Sequence, residues 1–110
     1  MAAKTYVYEF GMGVDVHGKD STKAAKRAVS DAIRHSSLAF FAEARERGAK
    51  MVVHVMVGVP NPETVDIAAV RGELPYGEVT VEATLGGVVS PLGDALIACV
   101  ILTVGIEEPG

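Results

Sequence analysis

Two segments of this chain are apolar at almost every position: residues 50–60, KMVVHVMVGVP, and residues 94–105, DALIACVILTVG. A strand covered on one face alternates apolar and polar residues, whereas a strand buried on both faces has a near-continuous apolar run. Both segments therefore predict strands with two apolar faces. Because aromatic residues make up only 5% of the chain and Trp is absent, the core around these strands has to be built from Val, Ala, Ile and Leu.

The N-terminal half predicts a strand followed by a long helix. Residues 5–13, TYVYEFGMG, alternate so that Tyr8 and its apolar neighbours at every second position share one face. Asp20 or Ser21 can cap a helix whose apolar residues recur at helical spacing to about residue 47, where Gly48 ends it.

The C-terminal half completes the order β-α-β-α-β-β. A short helical pattern covers residues 63–71, and an alternating strand covers residues 78–87. This order predicts an α/β (α+β) fold, with a single sheet of about four strands and one long helix packed on one face. The length fits one domain, residues 1–110, in which residues 106–110 are expected to be a frayed tail.

The predicted helices cover only one face of this sheet, although two of its strands are apolar on both. A large exposed apolar patch is typical of an association surface. We therefore expect a homo-oligomer in which the second face or an edge of the sheet forms the interface. A closed ring is one such assembly, and a trimer is the ring we expect.

Several classes of protein are disfavoured by composition. The longest apolar run, residues 95–105, is about half the roughly 20 residues that a membrane-spanning helix needs, and the N-terminus lacks the apolar block of a signal peptide. The one cysteine, Cys99, is expected to be a buried, inert thiol. These features predict a cytoplasmic protein without a membrane partner, and the net charge of −4 disfavours nucleic acid as a partner.

Positive charge is gathered where the long helix begins. Lys19, Lys23, Lys26 and Arg27 surround its first two turns, with Asp20 as the lone local acid. Because a helix N-terminus carries a partial positive charge, this arrangement predicts an anion site in which Lys19 and Arg27 bind the ligand. Two alternatives stay open: solvated surface charges, or pairing with the acidic C-terminal half of a neighbouring copy. Neither G-x-G-x-x-G nor a Walker A pattern is present.

Candidate catalytic groups lie in the same stretch. Asp15 and His17 are two residues apart at the end of the first strand, so the carboxylate could orient the imidazole as a general base, with Lys23 beside them. The pair could equally be a polar feature of the loop, or could contribute two ligands to a metal, but no zinc-binding spacing accompanies it, and we predict no metal site. Ser90, in the glycine-rich segment 85–93, is a turn residue by default and a further candidate ligand contact.

Three blocks of the sequence resemble a known family: GMGVDVHGKDSTKAAKRAVSDAIRHSSL, HVMVGVPNPETVD and PYGEV. They look like the signature blocks of a small bacterial family of uncharacterised, conserved hypothetical proteins, the locus-tag-named Lin-type family. A weaker, fold-level likeness is to one repeat of the cyanuric acid hydrolase and barbiturase family. That likeness implies a trimer that gathers Lys23 and Ser90 of each copy at its axis.

Two hypotheses for function follow. The first is a small oligomeric enzyme or binder that holds an anionic or carbonyl-rich small molecule at the turn between the first strand and the helix, near a subunit interface. If it is an enzyme, hydrolase-like acid/base chemistry is expected; no cofactor is indicated. The alternative is a non-catalytic, self-assembling protein whose basic segment docks on the acidic segment of a neighbour.

Overall fold

Eight elements have defined bounds in the part of the chain that the structure describes. The computed structural model describes residues 5–34, 43, 45–74 and 77–107. In chain order the elements are β1 (Thr5–Asp15), α1 (Ser21–Arg34), β2 (Lys50–Val59), a 3₁₀ turn (Pro62–Thr64), α2 (Ile67–Arg71), β3 (Glu78–Leu85), β4 (Val88–Val89) and β5 (Leu96–Glu107). The predicted α+β class with one sheet and a packed helix is confirmed.

The last strand lies in the middle of the sheet. The order is β1-β5-β2-β3, with β5 antiparallel to both β1 and β2, and β2 parallel to β3. The two-residue strand β4 pairs with the start of β5, at Ile97 and Leu96. The sheet thus has five strands, one more than the sequence predicts, because β4 falls inside a segment that reads as a connection.

Helix α1 packs against β1 at very close range. Four of its six buried residues are alanines, Ala24, Ala25, Ala28 and Ala32, and the other two are Val29 and Ser21. A Cβ atom at Gly11 would overlap the carbonyl oxygen of Ala28, and one at Gly13 would overlap the carbonyl oxygen of Ala24. The alanine-rich face therefore serves the contact between helix and strand.

The ends of helix α1 and strand β5, as the structure describes them, differ from the predicted boundaries. Helix α1 ends at Arg34 as described, and the predicted continuation over residues 35–42 and at 44 lies outside the described residues, while 43, 45 and 46 are helical. The predicted frayed tail is wrong for residues 106 and 107, because β5 extends to Glu107 and Ile106 is fully buried. Ile106 pairs with both flanking strands, which holds this end of β5 in the sheet.

Helix α1 packs on one face of the sheet, and the described side chains of the other face are partly or fully exposed. On the helix face, alternate residues of β2 and β5, from Met51 to Val59 and from Leu96 to Ile106, are buried with the α1 alanines. On the other face, here called the open face, Tyr8, Phe10 and Met12 of β1 are exposed. Across the described residues no helix is long and apolar enough to span a membrane.

The position of Cys99 corrects a prediction. Its thiol was expected to be buried, but Cys99 is exposed on the open face. The alternation along β5 puts Ala98 and Val100 into the core and Cys99 on the opposite side. The apolar run in β5 has two apolar faces, and among the residues that the structure describes only one of them is covered.

Candidate functional site

Three strand ends and the start of α1 meet at one end of the sheet. Strands β1, β2 and β3 run in the same direction, because β5 is antiparallel to β1 and β2, and β3 is parallel to β2. The loops that follow these strands therefore lie at the same end. In sheets of this kind the carboxyl ends of parallel strands are the usual location of a ligand site.

Two carboxylates hold the N-terminus of α1. The chain reverses at Gly18 and Lys19, which have φ angles of 96° and 52°, and this brings Asp20 back to Asp15. Asp15 is 3% exposed, and its Oδ2 accepts a hydrogen bond from the Asp20 N–H at 2.8 Å. Asp20 in turn caps the helix, since its Oδ1 accepts from the Lys23 N–H at 3.0 Å. Asp20 is thus not the lone acid at this site, and Asp15 offsets part of the positive charge.

Arg27 binds the edge strand. Its Nη1 donates to the carbonyl oxygen of Val14 at 2.6 Å and lies 3.6 Å from Oδ1 of Asp15. One turn later on α1, Asp31 Oδ2 accepts from the backbone N–H of Met12 at 3.0 Å. Unpaired backbone groups on an edge strand invite pairing with another chain, so these two side chains cap part of the free edge of β1.

A cleft of about 390 Å³ lies beside the first turns of α1. Positions 23, 26, 27 and 30 fall on one helical face and form one wall, and Glu73 approaches from the turn after α2. The full lining is Asp20, Thr22, Lys23, Lys26, Arg27, Ser30 and Glu73. Among the described residues, the ammonium groups of Lys23 and Lys26 form no ion pair.

The floor of this region is fixed by Thr22. Its hydroxyl accepts a hydrogen bond from the Asp66 N–H at 2.8 Å and donates to the Thr64 carbonyl at 3.4 Å. Asp66 also caps α2 by accepting from the Ala69 N–H. Thr22 therefore ties the loop after β2 to α1, and Ser30 is the hydroxyl in the lining that these bonds leave available.

The predicted site residues separate into two groups. Lys23 and Arg27 come together in the cleft, as predicted from their spacing of four. His17 and Lys19 are exposed and do not line it, and within the described chain no hydrogen bond or ion pair joins His17 to Asp15. Ser90 lies in the turn between β4 and β5, where its N–H donates to the Ala95 carbonyl.

Strand β5 separates Ser90 from the end of β1, where α1 begins. Ser90 follows β4, which pairs with β5 on the side opposite β1, at roughly two strand spacings or about 10 Å from the end of β1. Thr22, Ser30 and Glu73 line the cleft but were not predicted as site residues. Ser30 could have been found from its spacing of four from Lys26, but Glu73 could not, because its position depends on long-range packing.

Two ion pairs lie on β2 and β3, away from the cleft. His54 Nε2 is 3.5 Å from Glu82 Oε1, across the parallel pair of β2 and β3. Lys50 Nζ is 2.6 Å from Glu78 Oε1, and this hydrogen bond raises the pKa of Lys50. The described residues contain no group of three His, Cys, Asp or Glu side chains that could hold a metal ion.

These features define a small α+β protein with a mixed five-stranded sheet and a basic cleft beside its one long described helix. The chain belongs to the Lin0512 family of conserved hypothetical proteins, whose family model matches residues 5–104. It is also similar to the crystal structure of an FtsZ-like protein of unknown function from Nostoc punctiforme PCC 73102. The two are 32% identical, with a TM-score of 0.80 over 99% of each chain. None of the curated proteins compared with the chain matches it.

Proposed function

We propose that this protein binds a small anionic ligand, carrying a phosphate or carboxylate group, in the cleft beside α1. The observation that carries the proposal is the pair of ammonium groups on Lys23 and Lys26, which share one wall of the cleft and have no ion-pair partner in the described chain. Ser30, one turn beyond Lys26, adds a hydroxyl donor to the same wall.

The placement of the charges supports an anion as the guest. The lining carries Lys23, Lys26 and Arg27 against Asp20 and Glu73, a net charge of +1, and Asp15 outside the lining pairs with Arg27. The Asp20 carboxylate is turned to the helix N-terminus, where it accepts from the Lys23 N–H, so the ammonium groups of Lys23 and Lys26 are the positive charges that a guest can reach. Its volume of about 390 Å³ falls at the small end of the ~300–1,000 Å³ typical of ligand pockets.

The described geometry favours binding over proton transfer. Asp15 is buried against Arg27 and the Asp20 N–H, and His17 stands outside the cleft. In this arrangement Asp15 positions the start of α1 and does not orient the imidazole. The acid/base chemistry of Asp15, His17 and Lys23, the cytoplasmic location and the ring-shaped trimer stay predictions, as does the likeness to cyanuric acid hydrolase.

The docking of a basic segment on a neighbour's acidic segment has less support. Glu73 faces Lys23 and Lys26 across the cleft of its own chain, and Glu78 pairs with Lys50. Glu78 therefore pairs with a lysine of its own chain, and Glu73 lies opposite two lysines of its own chain without forming an ion pair among the described residues. The similar Nostoc protein is of unknown function and therefore indicates no ligand, so the proposal rests on the geometry of the cleft.

Thermal unfolding with inorganic phosphate tests the proposal. A ligand that binds only the folded state stabilises it by about 2.7 kcal/mol at 100 times its Kd, so phosphate is expected to raise the Tm of the wild type. The double variant Lys23→Gln/Lys26→Gln is expected to lose most of this rise. Arg71→Gln, an exposed charge on α2 outside the cleft, is the matched control and should respond like the wild type.

Ionic strength has to be held constant with chloride, so that general screening does not imitate binding. Titration calorimetry with phosphate and with succinate then distinguishes the two ligand chemistries. Equal Tm shifts in the wild type, the double variant and Arg71→Gln would rule out the cleft as the binding site.

A further inference from the structure

The open face carries an ordered apolar strip across three strands. Phe10, Ile101 and Met56 lie side by side in one row, since Phe10 pairs with Ile101 and Met56 pairs with Ile101 from the other side. They are 64%, 43% and 37% exposed. Met12 and Cys99 form the next row. Scattered exposed apolar side chains are ordinary, but a contiguous strip of this kind marks an association surface.

We infer that this face packs against the same face of a second copy of the chain, in a two-fold dimer with sheet on sheet, and this dimer is an alternative to the ring-shaped trimer that the sequence predicts. Four strands at ~4.8 Å spacing and about nine residues at ~3.4 Å give a footprint on the order of 600 Å² on each copy. Two copies would then bury roughly 1,200 Å², at the lower limit of standard stable interfaces.

The distribution of charged side chains on the open face favours another copy of the chain as the partner. The ionic groups toward the far edge of the face are paired within the chain, Lys50 with Glu78 and His54 with Glu82. The strip on β1, β5 and β2 has no charged side chain, and the carboxylates that β3 adds to the footprint, Glu78 and Glu82, are the ones held in these two ion pairs. Two chains that each carry a net charge of −4 can therefore meet at this surface without bringing unmatched like charges together.

The charged end of the face favours one orientation. Lys50, Glu78 and Glu107 lie together at one end, because Lys50 pairs with Glu107 in the sheet and Val52, two residues on, pairs with Glu78. A two-fold axis that runs across the strands near Ile101 places this end over the Met12 and Cys99 end of the partner and keeps the two acidic ends apart. Ile101 then lies next to its symmetry mate, and so does Glu82, which shares this row through Met56 and keeps its ion pair with His54 of its own chain.

The mass of the protein in solution tests the dimer. The wild type is expected to sediment at twice the 11.5 kDa chain mass as its concentration approaches the millimolar range. Ile101→Glu would place two carboxylates in contact at the two-fold axis, and is expected to weaken the dimer by about 30-fold or more. Leu92→Glu makes the same kind of change at a fully exposed loop residue off the face and should leave the dimer intact.

Phe10→Glu, on the edge strand, is the second variant in case Ile101→Glu does not fold, and circular dichroism checks the fold of each. The cleft lies on the other side of the sheet, so Ile101→Glu should still bind phosphate, and Lys23→Gln/Lys26→Gln should still dimerise. A wild type of 11.5 kDa at every concentration would overturn the inference. So would a trimeric mass, a dimer that both Glu variants leave unchanged, or a monomer that instead binds lipid vesicles.

Discussion

The two faces of one sheet show how differently this chain treats its apolar residues. On the helix face, Gly11 and Gly13 of β1 pack against the alanines of α1, and the two backbones are in contact. On the open face the same strand presents Tyr8, Phe10 and Met12, all exposed. At its contact with α1 the covered face of β1 has two glycines, between the buried Glu9 and Asp15, whereas its open face has some of the largest side chains in the chain.

The difference in side-chain size indicates which kind of surface each face packs against. Small residues permit a close approach only to a surface whose position is already fixed, and α1 is fixed to β1 by Arg27 and Asp31. Large apolar side chains on the open face fill the ~10 Å gap that separates two packed sheets. One face is thus complete within the chain, and the other has the side chains of a sandwich interior.

The largest effect is expected for a matched pair of substitutions on β1, Gly13→Val and Met12→Val. Valine is a good strand residue, so intrinsic propensity favours Gly13→Val. Its side chain would nevertheless overlap the backbone of α1, and we expect a loss of about 3 kcal/mol or more in the free energy of unfolding.

Met12→Val, one residue away on the open face, is expected to change that free energy by less than about 0.5 kcal/mol in the monomer. Urea denaturation at low protein concentration measures both. Similar losses for the two variants would mean that the faces are not as different as their packing indicates.

The smallest effect is expected at the charged end of the open face. Lys50→Met removes the ion pair with Glu78, in which both side chains are more than half exposed to solvent. Since exposed pairs contribute little, the urea midpoint at pH 7 should hardly move.

The pH dependence of this pair has a definite sign. The hydrogen bond to Glu78 raises the pKa of Lys50 above its ordinary value of 10.5. Whatever stability the pair adds is therefore fully present below pH 10.5 and is lost as the pH rises through the higher folded-state pKa. The difference between wild type and Lys50→Met should be constant across neutral pH and disappear at strongly alkaline pH. A difference that vanishes near pH 7 would contradict this assignment.

Much of the fold could be predicted because its signals are local. The alternation in β1 and β3 and the apolar runs in β2 and β5 mark four of the five strands, and Asp20 marks the start of α1. The place of β5 between β1 and β2 could not be predicted, because strand order depends on pairing between distant segments. That order also determines which face of β5 is open, and so it decided the exposure of Cys99.

The candidate site also has one part that the sequence predicts and one part that it does not. Lys23 and Arg27 share a face through helical spacing alone, and the sequence shows this. The position of Asp15 depends on two consecutive residues with positive φ, Gly18 and Lys19, which turn Asp20 back toward the strand. The sequence does not indicate that Lys19 adopts this conformation, so the ion pair between Asp15 and Arg27 could not be predicted. The sequence instead predicts His17 as the partner of Asp15.

Cys99 allows the most direct measurement of whether the open face is a contact surface. It is the one cysteine of the chain, and its thiol lies in the row beside Phe10 and Ile101. Alkylation by a maleimide, measured by mass spectrometry, should be fast in dilute protein and should slow as the concentration rises and copies cover the face. A thiol that reacts at the same rate from micromolar to near-millimolar protein would contradict the account.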